Sequence, residues 1–259
     1  MVVVGMIPAR YSATRFPGKV LVEIGGKPMV QHVYERALRA ESLEKVIVAT
    51  DDERVAHAAW AFGAQVALTS PDHASGTDRL AEVARQIECD VVVNIQGDEP
   101  LIDPAIIDRA VEPLLRDHHV RLATLATPVA GPEEHDNPTV VKVVVDAKGD
   151  ALYFSRLPIP YFRVDDPATR EAARATRVHP ESGLRPLKHI GLYVYRKETL
   201  LWFSGLPKSA LETTEGLEQL RALENGCRIR VVTVDYSPVG VDTPEDLERV
   251  KVLLEAQSE

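Results

Sequence analysis

At 259 residues, 45% hydrophobic and 27% charged, the chain has the size and composition of a globular α/β protein. A formal net charge of -9 disfavours broad binding to nucleic acid or to an anionic membrane, both of which require a basic face. Two cysteines, Cys89 and Cys227, lack any CxxC or zinc-like spacing, and the apolar N-terminal run is too short for a membrane span or signal peptide, which points to a reduced, cytoplasmic protein.

Residues 2–7 (VVVGMI) read as a buried first strand, followed by the loop Pro8-Ala9-Arg10-Tyr11-Ser12-Ala13-Thr14-Arg15-Phe16-Pro17-Gly18-Lys19. Arg10, Arg15 and Lys19 thus leave the C-terminal end of that strand, where open α/β sheets bind ligands. Cations with small residues between them suit a polyanion such as a nucleoside triphosphate; the alternative is an ordinary basic surface loop. Lys27-Pro28 opens a helix with Met29, Val30, Val33, Tyr34, Ala37 and Leu38 on one face. Residues 45–50 form a second strand, 53–62 a helix closed by Gly63, and 65–68 a third strand. A polar loop over 69–78 leads to a helix capped by Thr77, and 90–95 (DVVVNI) reads as a central parallel strand covered on both faces. Gln96-Gly97-Asp98-Glu99-Pro100 precedes a helix over 104–116, and 121–128 is a further strand. This alternation implies a doubly wound, mostly parallel sheet flanked by helices.

The second half changes character. Residues 140–146 and 150–155 read as an antiparallel hairpin, and 157–186, rich in Pro and Arg, as loop. A strand over 189–196 with a short helix after it, a helix over 214–224, a strand over 228–235 and a helix started by Asp242-Thr243-Pro244 complete the chain. Trp60 and Trp202 read as packing residues, and His32, His57, His118 and His119 receive no role.

The chemistry is carried by charge rather than by a glycine cradle. GxxxxGK[ST] and GxGxxG are both missing, which disfavours a P-loop kinase or a dinucleotide oxidoreductase. Asp98, beside the cationic loop, makes sense if Mg²⁺ bridges carboxylate and phosphate; a turn or helix cap is the plainer reading of the same residue. Asp242 carries the same pair of readings. Arg156, Lys188, His189, Glu218 and Gln219, with Tyr153, Tyr161, Tyr193 and Tyr195 nearby, suit an acidic, hydroxyl-rich second substrate, or else are surface residues and core tyrosines.

Several stretches together resemble one family. Ile7-Pro8-Ala9-Arg10-Tyr11 with Thr14-Arg15-Phe16-Pro17-Gly18-Lys19, His73-Ala74-Ser75-Gly76-Thr77-Asp78-Arg79-Leu80, Asn94-Ile95-Gln96-Gly97-Asp98-Glu99-Pro100, Tyr153-Phe154-Ser155-Arg156, His189-Ile190-Gly191, Leu217-Glu218-Gln219-Leu220-Arg221 and Gly240-Val241-Asp242-Thr243-Pro244 are similar, in order, to the 3-deoxy-manno-octulosonate (Kdo) cytidylyltransferases. The resemblance implies a Rossmann-like nucleotidyltransferase fold, a single domain over 1–259 with an inserted antiparallel hairpin and loop region at about 139–195 that serves sugar binding and dimerisation. It implies transfer of CMP from CTP to Kdo, with release of pyrophosphate, for lipopolysaccharide assembly. An 8-amino Kdo analogue or a sialic acid is the alternative acceptor. It also implies roles: Ala9, Arg10, Arg15 and Lys19 at the triphosphate; Ser75, Gly76 and Gln96 around the cytidine; Asp98 and Asp242 on Mg²⁺; Arg156, His189, Tyr193, Glu218 and Gln219 at the sugar acid. Lys19, Asp98 and Asp242 would carry catalysis. A homodimer is expected, with no nucleic-acid or membrane partner.

Overall fold

A computed structural model describes residues 1–12 and 16–256; Arg15 lies outside the described residues. The chain opens with β1 (Val3–Pro8), a short hairpin of β2 (Glu23–Ile24) and β3 (Lys27–Pro28), and α1 (Met29–Ala37). It continues through β4 (Lys45–Thr50), α2 (Glu53–Ala61), β5 (Gln65–Leu68), α3 (Gly76–Gln86), β6 (Val91–Asn94) and α4 (Pro104–Arg116). Then come β7 (Leu122–Pro128), α5 (Pro132–Asp136), β8 (Lys142–Val145), β9 (Ala151–Ser155) and α6 (Pro167–Thr176). The last elements are β10 (Leu187–Arg196), α7 (Lys197–Ser204), α8 (Ala210–Glu215), α9 (Gln219–Glu224), β11 (Arg230–Thr233) and α10 (Pro244–Ala256).

The chain divides into two compact units, 1–117 with 192–205 and 237–259, and 118–191 with 206–236. In the first, β6, β1, β4 and β5 pair in that order, all parallel, and Tyr193–Arg196 of β10 adds antiparallel to β6. Val3, Val4, Met6 and Ile7 of β1 and Val91, Val92 and Val93 of β6 are buried, as expected of parallel strands covered on both faces. The chain leaves β1 toward β4 on one side and reaches β6 on the other, so β1 and β6 flank a topological switch point. In the second unit β7 pairs parallel with β11, and β8 pairs antiparallel with both β9 and the start of β10. The longer strands and the helices of the first half agree with the sequence patterns to within a residue or two; the two-residue strands β2 and β3 have no counterpart in those patterns.

Four local readings need correction. Ser75, not Thr77, caps α3: its Oγ accepts from Asp78 N, and the Asp78 carboxylate accepts from Ser75 N, a capping box that outcompetes the next hydroxyl along. Residues 157–186 are not all loop, because Asp166 caps α6 through Thr169 N and Pro167 occupies its first turn. The helix read over 214–224 is two helices, broken where Gly216 takes a φ of 64° that a residue with a Cβ adopts at a cost. Leu38, just past the last turn of α1, is exposed rather than on the buried face, while Trp60, half exposed, packs edge-on against His57 of the same helix.

Candidate active site

The cleft at the C-terminal edge of the first unit's sheet has a volume of about 310 Å³ and is lined by Pro8, Arg10, Ser12, Lys19, Val20, Gly76, Gln96, Gly97 and Asp98. Loops after β1 and β6 approach closely there: a Cβ on Gly97 would stand 3.1 Å from the Pro8 carbonyl, so any larger residue would push the two loops apart. Ala9 is fully buried and ties this loop to β4 through its N–H on Ala49 O (2.9 Å). Ala9 itself does not line the cleft; it anchors the loop that does. Arg10 Nη2 donates to His73 O (3.0 Å), joining the first loop to the loop before α3. Gly76 opens α3 at the wall of the cleft, so the positive end of that helix lies beside the same space. These features make an anion site.

Lys19 is the centre of the arrangement. Its Nζ donates to Asp98 Oδ2 (2.6 Å), Asp242 Oδ1 (3.0 Å) and Val241 O (3.0 Å). Burial pulls the Lys19 pKa down, but the two carboxylates outweigh it and the net shift is upward. The plainer reading of each aspartate is answered by the structure. The cap of α4 is Asp103, whose carboxylate accepts from Ala105 N, so Asp98 has no capping duty. The start of α10 is a box between Thr243 and Asp246: Asp246 N donates to Thr243 Oγ1 (3.2 Å) and Asp246 Oδ2 accepts from Thr243 N (3.0 Å). The same Oδ2 accepts from Asp242 N (3.1 Å), which orients Asp242 and leaves its carboxylate to Lys19. Val241 is fully buried in an apolar cluster with Ile24, Met29 and Leu247, and its N–H donates to Asp98 O (2.9 Å). One backbone clip therefore registers the two acidic loops on each other. Beside them, burial first and the Asp98 charge second push Glu99 up to about 7.

Supporting residues here lie outside the sequence reading. Arg54 stacks over the Tyr11 ring, 3.4 Å from its centroid, and forks onto Asp52 (Nε–Oδ1 2.9 Å, Nη2–Oδ2 2.6 Å). Tyr11 in turn packs on Gly18, where an added Cβ would stand 3.2 Å from its ring, and Tyr11 O accepts from Gly18 N (2.6 Å). His73 and Ser70 N both bond Glu82 Oε2, and fully buried Arg79 pairs with Asp51 (3.1 Å) and Thr69. The spacing Asp52-x-Arg54 at a helix start was the available signal for the first of these; a buried arginine such as Arg79 has none beyond its motif.

The second unit holds the other group. Arg156, after β9, donates from Nε to Glu215 O (2.7 Å), from Nη1 to Pro138 O (3.1 Å) and from Nη2 to Gly216 O (3.4 Å). It thus caps the C-terminus of α8, and two of its five N–H groups stay uncommitted among the described residues. Glu215, not singled out by the sequence, accepts from Arg156 N (2.9 Å) and Ser155 Oγ (2.7 Å). His189 Nε2 lies 2.9 Å from Thr124 Oγ1, and that hydroxyl donates to Ile190 O (3.1 Å), so the ring donates to Thr124. Burial holds His189 down at about 3, hence neutral. Gln219 is only 6% exposed, and its amide makes no hydrogen bond to another described residue. Glu218 is bound to Arg221 (2.8 Å), a partner three residues on. Tyr193 belongs to the first unit, opposite Asn94 on β6.

A family model described as cytidylyltransferase matches residues 4–229. A curated 3-deoxy-manno-octulosonate cytidylyltransferase of Geobacter sulfurreducens is 53% identical over 250 residues, 96% of this chain and 98% of that one. Its counterpart in Solibacter usitatus is 55% identical over 254 residues, 98% of this chain and 95% of that one. Among solved structures, a CMP:2-keto-3-deoxy-manno-octonic acid synthetase complexed with CTP superposes with a TM-score of 0.88 at 43% identity, covering 99% of this chain and 100% of that one. A Leptospira borgpetersenii cytidylyltransferase, 18% identical with a TM-score of 0.64, shares the fold.

Proposed function

The chain belongs to the cytidylyltransferase family, and from that premise we propose that it transfers CMP from CTP to Kdo, forming CMP-Kdo and pyrophosphate. The observation that carries this reading is the convergence of Asp98 and Asp242 on Lys19 at the rim of a cationic cleft. A protein that only bound nucleotide would have no use for two carboxylates beside its phosphate site.

CTP is assigned to the first unit. Arg10, Lys19 and the start of α3 neutralise the triphosphate, and Arg15 of the same loop is assigned to it by sequence alone. Ser75, Gly76 and Gln96 border the cytidine. Asp98 and Asp242 suit Mg²⁺: both offer hard oxygen donors to one point, a cation already lies between them, and their side chains, 30% and 48% exposed, are open to solvent. Bound there, Mg²⁺ would offset phosphate charge and lower the pKa of an attacking hydroxyl. The chain's own work is placement and charge: Lys19 neutralises the α-phosphate as the sugar hydroxyl attacks in line with departing pyrophosphate. Neutral His189 takes no part as an acid or base.

The sugar acid is assigned to Arg156, Gln219, His189 and Glu218 of the second unit. The two uncommitted N–H groups of Arg156 suit a carboxylate, and Gln219 suits hydroxyls. A homodimer is supported by exposed Leu152, Leu157 and Tyr161, all in the second unit. No helix among the described residues is long and apolar enough to cross a membrane, and both cysteines are free, which supports work in the cytoplasm on the path to lipopolysaccharide. Turnover with Kdo, its 8-amino analogue and a sialic acid, measured side by side, tests the acceptor. Kdo should give the highest kcat/KM; a higher value for either analogue overturns that part of the reading.

A further inference from the structure

Lys142, in β8, is fully buried, yet its ammonium faces main chain rather than a carboxylate. Nζ donates to the carbonyls of Asn137 (2.9 Å), Val140 (2.6 Å) and Arg156 (2.6 Å). Three acceptors consume all three N–H groups of an ammonium, and a neutral amine has only two to give. The arrangement therefore commits a buried charge to backbone placement, at a desolvation cost that an apolar residue in β8 would not incur.

The placement has a definite object. Residues 137–140 form a tight turn, with Val140 N donating to Asn137 O (3.2 Å), Asn137 Oδ1 accepting from Thr139 N (2.9 Å) and Pro138 in the second position. The carbonyls at the two ends of the turn point to Lys142. The carbonyl of Pro138 between them accepts from Arg156 Nη1 (3.1 Å). Lys142 also holds the main chain of Arg156 directly, because Ser155 is its cross-strand partner and Arg156 follows. One ammonium thus fixes both the root of Arg156 and the turn that aims its guanidinium.

We propose that Lys142 is a positioning residue for the acidic-sugar substrate, setting the reach of the Arg156 guanidinium toward the sugar carboxylate. The proposal rests on the assignment of Arg156 to that carboxylate. Michaelis constants for Kdo and CTP, from pyrophosphate release, are compared in the wild type, Lys142→Met, Lys142→Gln, Arg156→Lys and the Lys142→Met/Arg156→Lys double variant. Lys142→Met should raise the KM for Kdo about tenfold or more, as expected of a misplaced binding group, with the KM for CTP within about twofold of wild type. Lys142→Gln, which keeps two donors, should raise it less. The double variant should bind Kdo no worse than Arg156→Lys alone, since Lys142 acts through Arg156. An unchanged Kdo KM in folded Lys142→Met, or KM values for CTP and Kdo that rise together, overturns the proposal. Should Lys142→Met fail to fold, Lys142→Gln decides, and an unchanged Kdo KM there overturns it equally. An unchanged Kdo KM in Arg156→Lys instead overturns the assignment of Arg156 itself.

Discussion

Replacing Lys19 by methionine keeps the length of the side chain and removes the charge that Asp98 and Asp242 share. Each ion pair, at 2.6 and 3.0 Å, carries about 6 kcal/mol of Coulomb attraction at an effective dielectric near 20. Desolvation of Lys19, 13% exposed, and screening at Asp242, 48% exposed, return most of it. Two carboxylates left facing each other add repulsion. The net expectation is a loss of about 1–3 kcal/mol, read from urea unfolding at neutral pH. Activity should suffer more than stability. If Lys19 neutralises charge that develops on the α-phosphate, kcat should fall by about 100-fold or more, a loss near 3 kcal/mol of transition-state stabilisation. The assay is pyrophosphate release at saturating CTP and Kdo, with KM determined for each. A variant with normal kcat and a raised KM for CTP alone would show that Lys19 binds but does not act in the transition state. Unchanged unfolding would show that the ion triad contributes nothing to the fold.

Asp98→Asn and Asp242→Asn should each lower kcat with Mg²⁺ by about 100-fold or more, and near-full turnover in either would remove the metal assignment. Ser75→Ala, which breaks the capping box of α3, should cost about 1 kcal/mol in unfolding and raise the KM for CTP; an unchanged KM would detach the cap from the nucleotide. Stability should fall on acidification through His189: its folded value of about 3 lies below the free value of 6.5, so below about pH 6.5 the unfolded chain takes up the extra proton. The slope should approach about 1.4 kcal/mol per pH unit between those limits, and His189→Asn should flatten it; parallel profiles would refute the buried, neutral imidazole.

The parallel strands were legible because each is a continuous apolar run with a turn at both ends, and β1, β4 and β6 follow that pattern closely. The helix at α6 was equally readable in principle, from Asp166 at the cap and Pro167 after it, beneath a composition that suggests loop. The break at Gly216 was not readable, since the flanking residues favour helix and the turn is held by Arg156 on the Glu215 and Gly216 carbonyls. Arg10, Lys19 and Asp98, which line the cleft, were found by type and position at strand ends. Their mutual arrangement was not: Lys19 meets Asp98 across 79 positions and Asp242 across 223, distances over which no local pattern operates. Buried cations such as Arg79 and Lys142 carry no local sequence signal either, because their partners are set by tertiary packing.

The account turns on transfer of a nucleotidyl group, and the products test it most directly. Incubation of the protein with CTP, Kdo and Mg²⁺, followed by phosphorus NMR, should show CMP-Kdo, a phosphodiester, and pyrophosphate accumulating in equal amounts, with no pyrophosphate when Kdo is omitted. CTP that stays intact, or pyrophosphate released without a sugar phosphodiester, would contradict it.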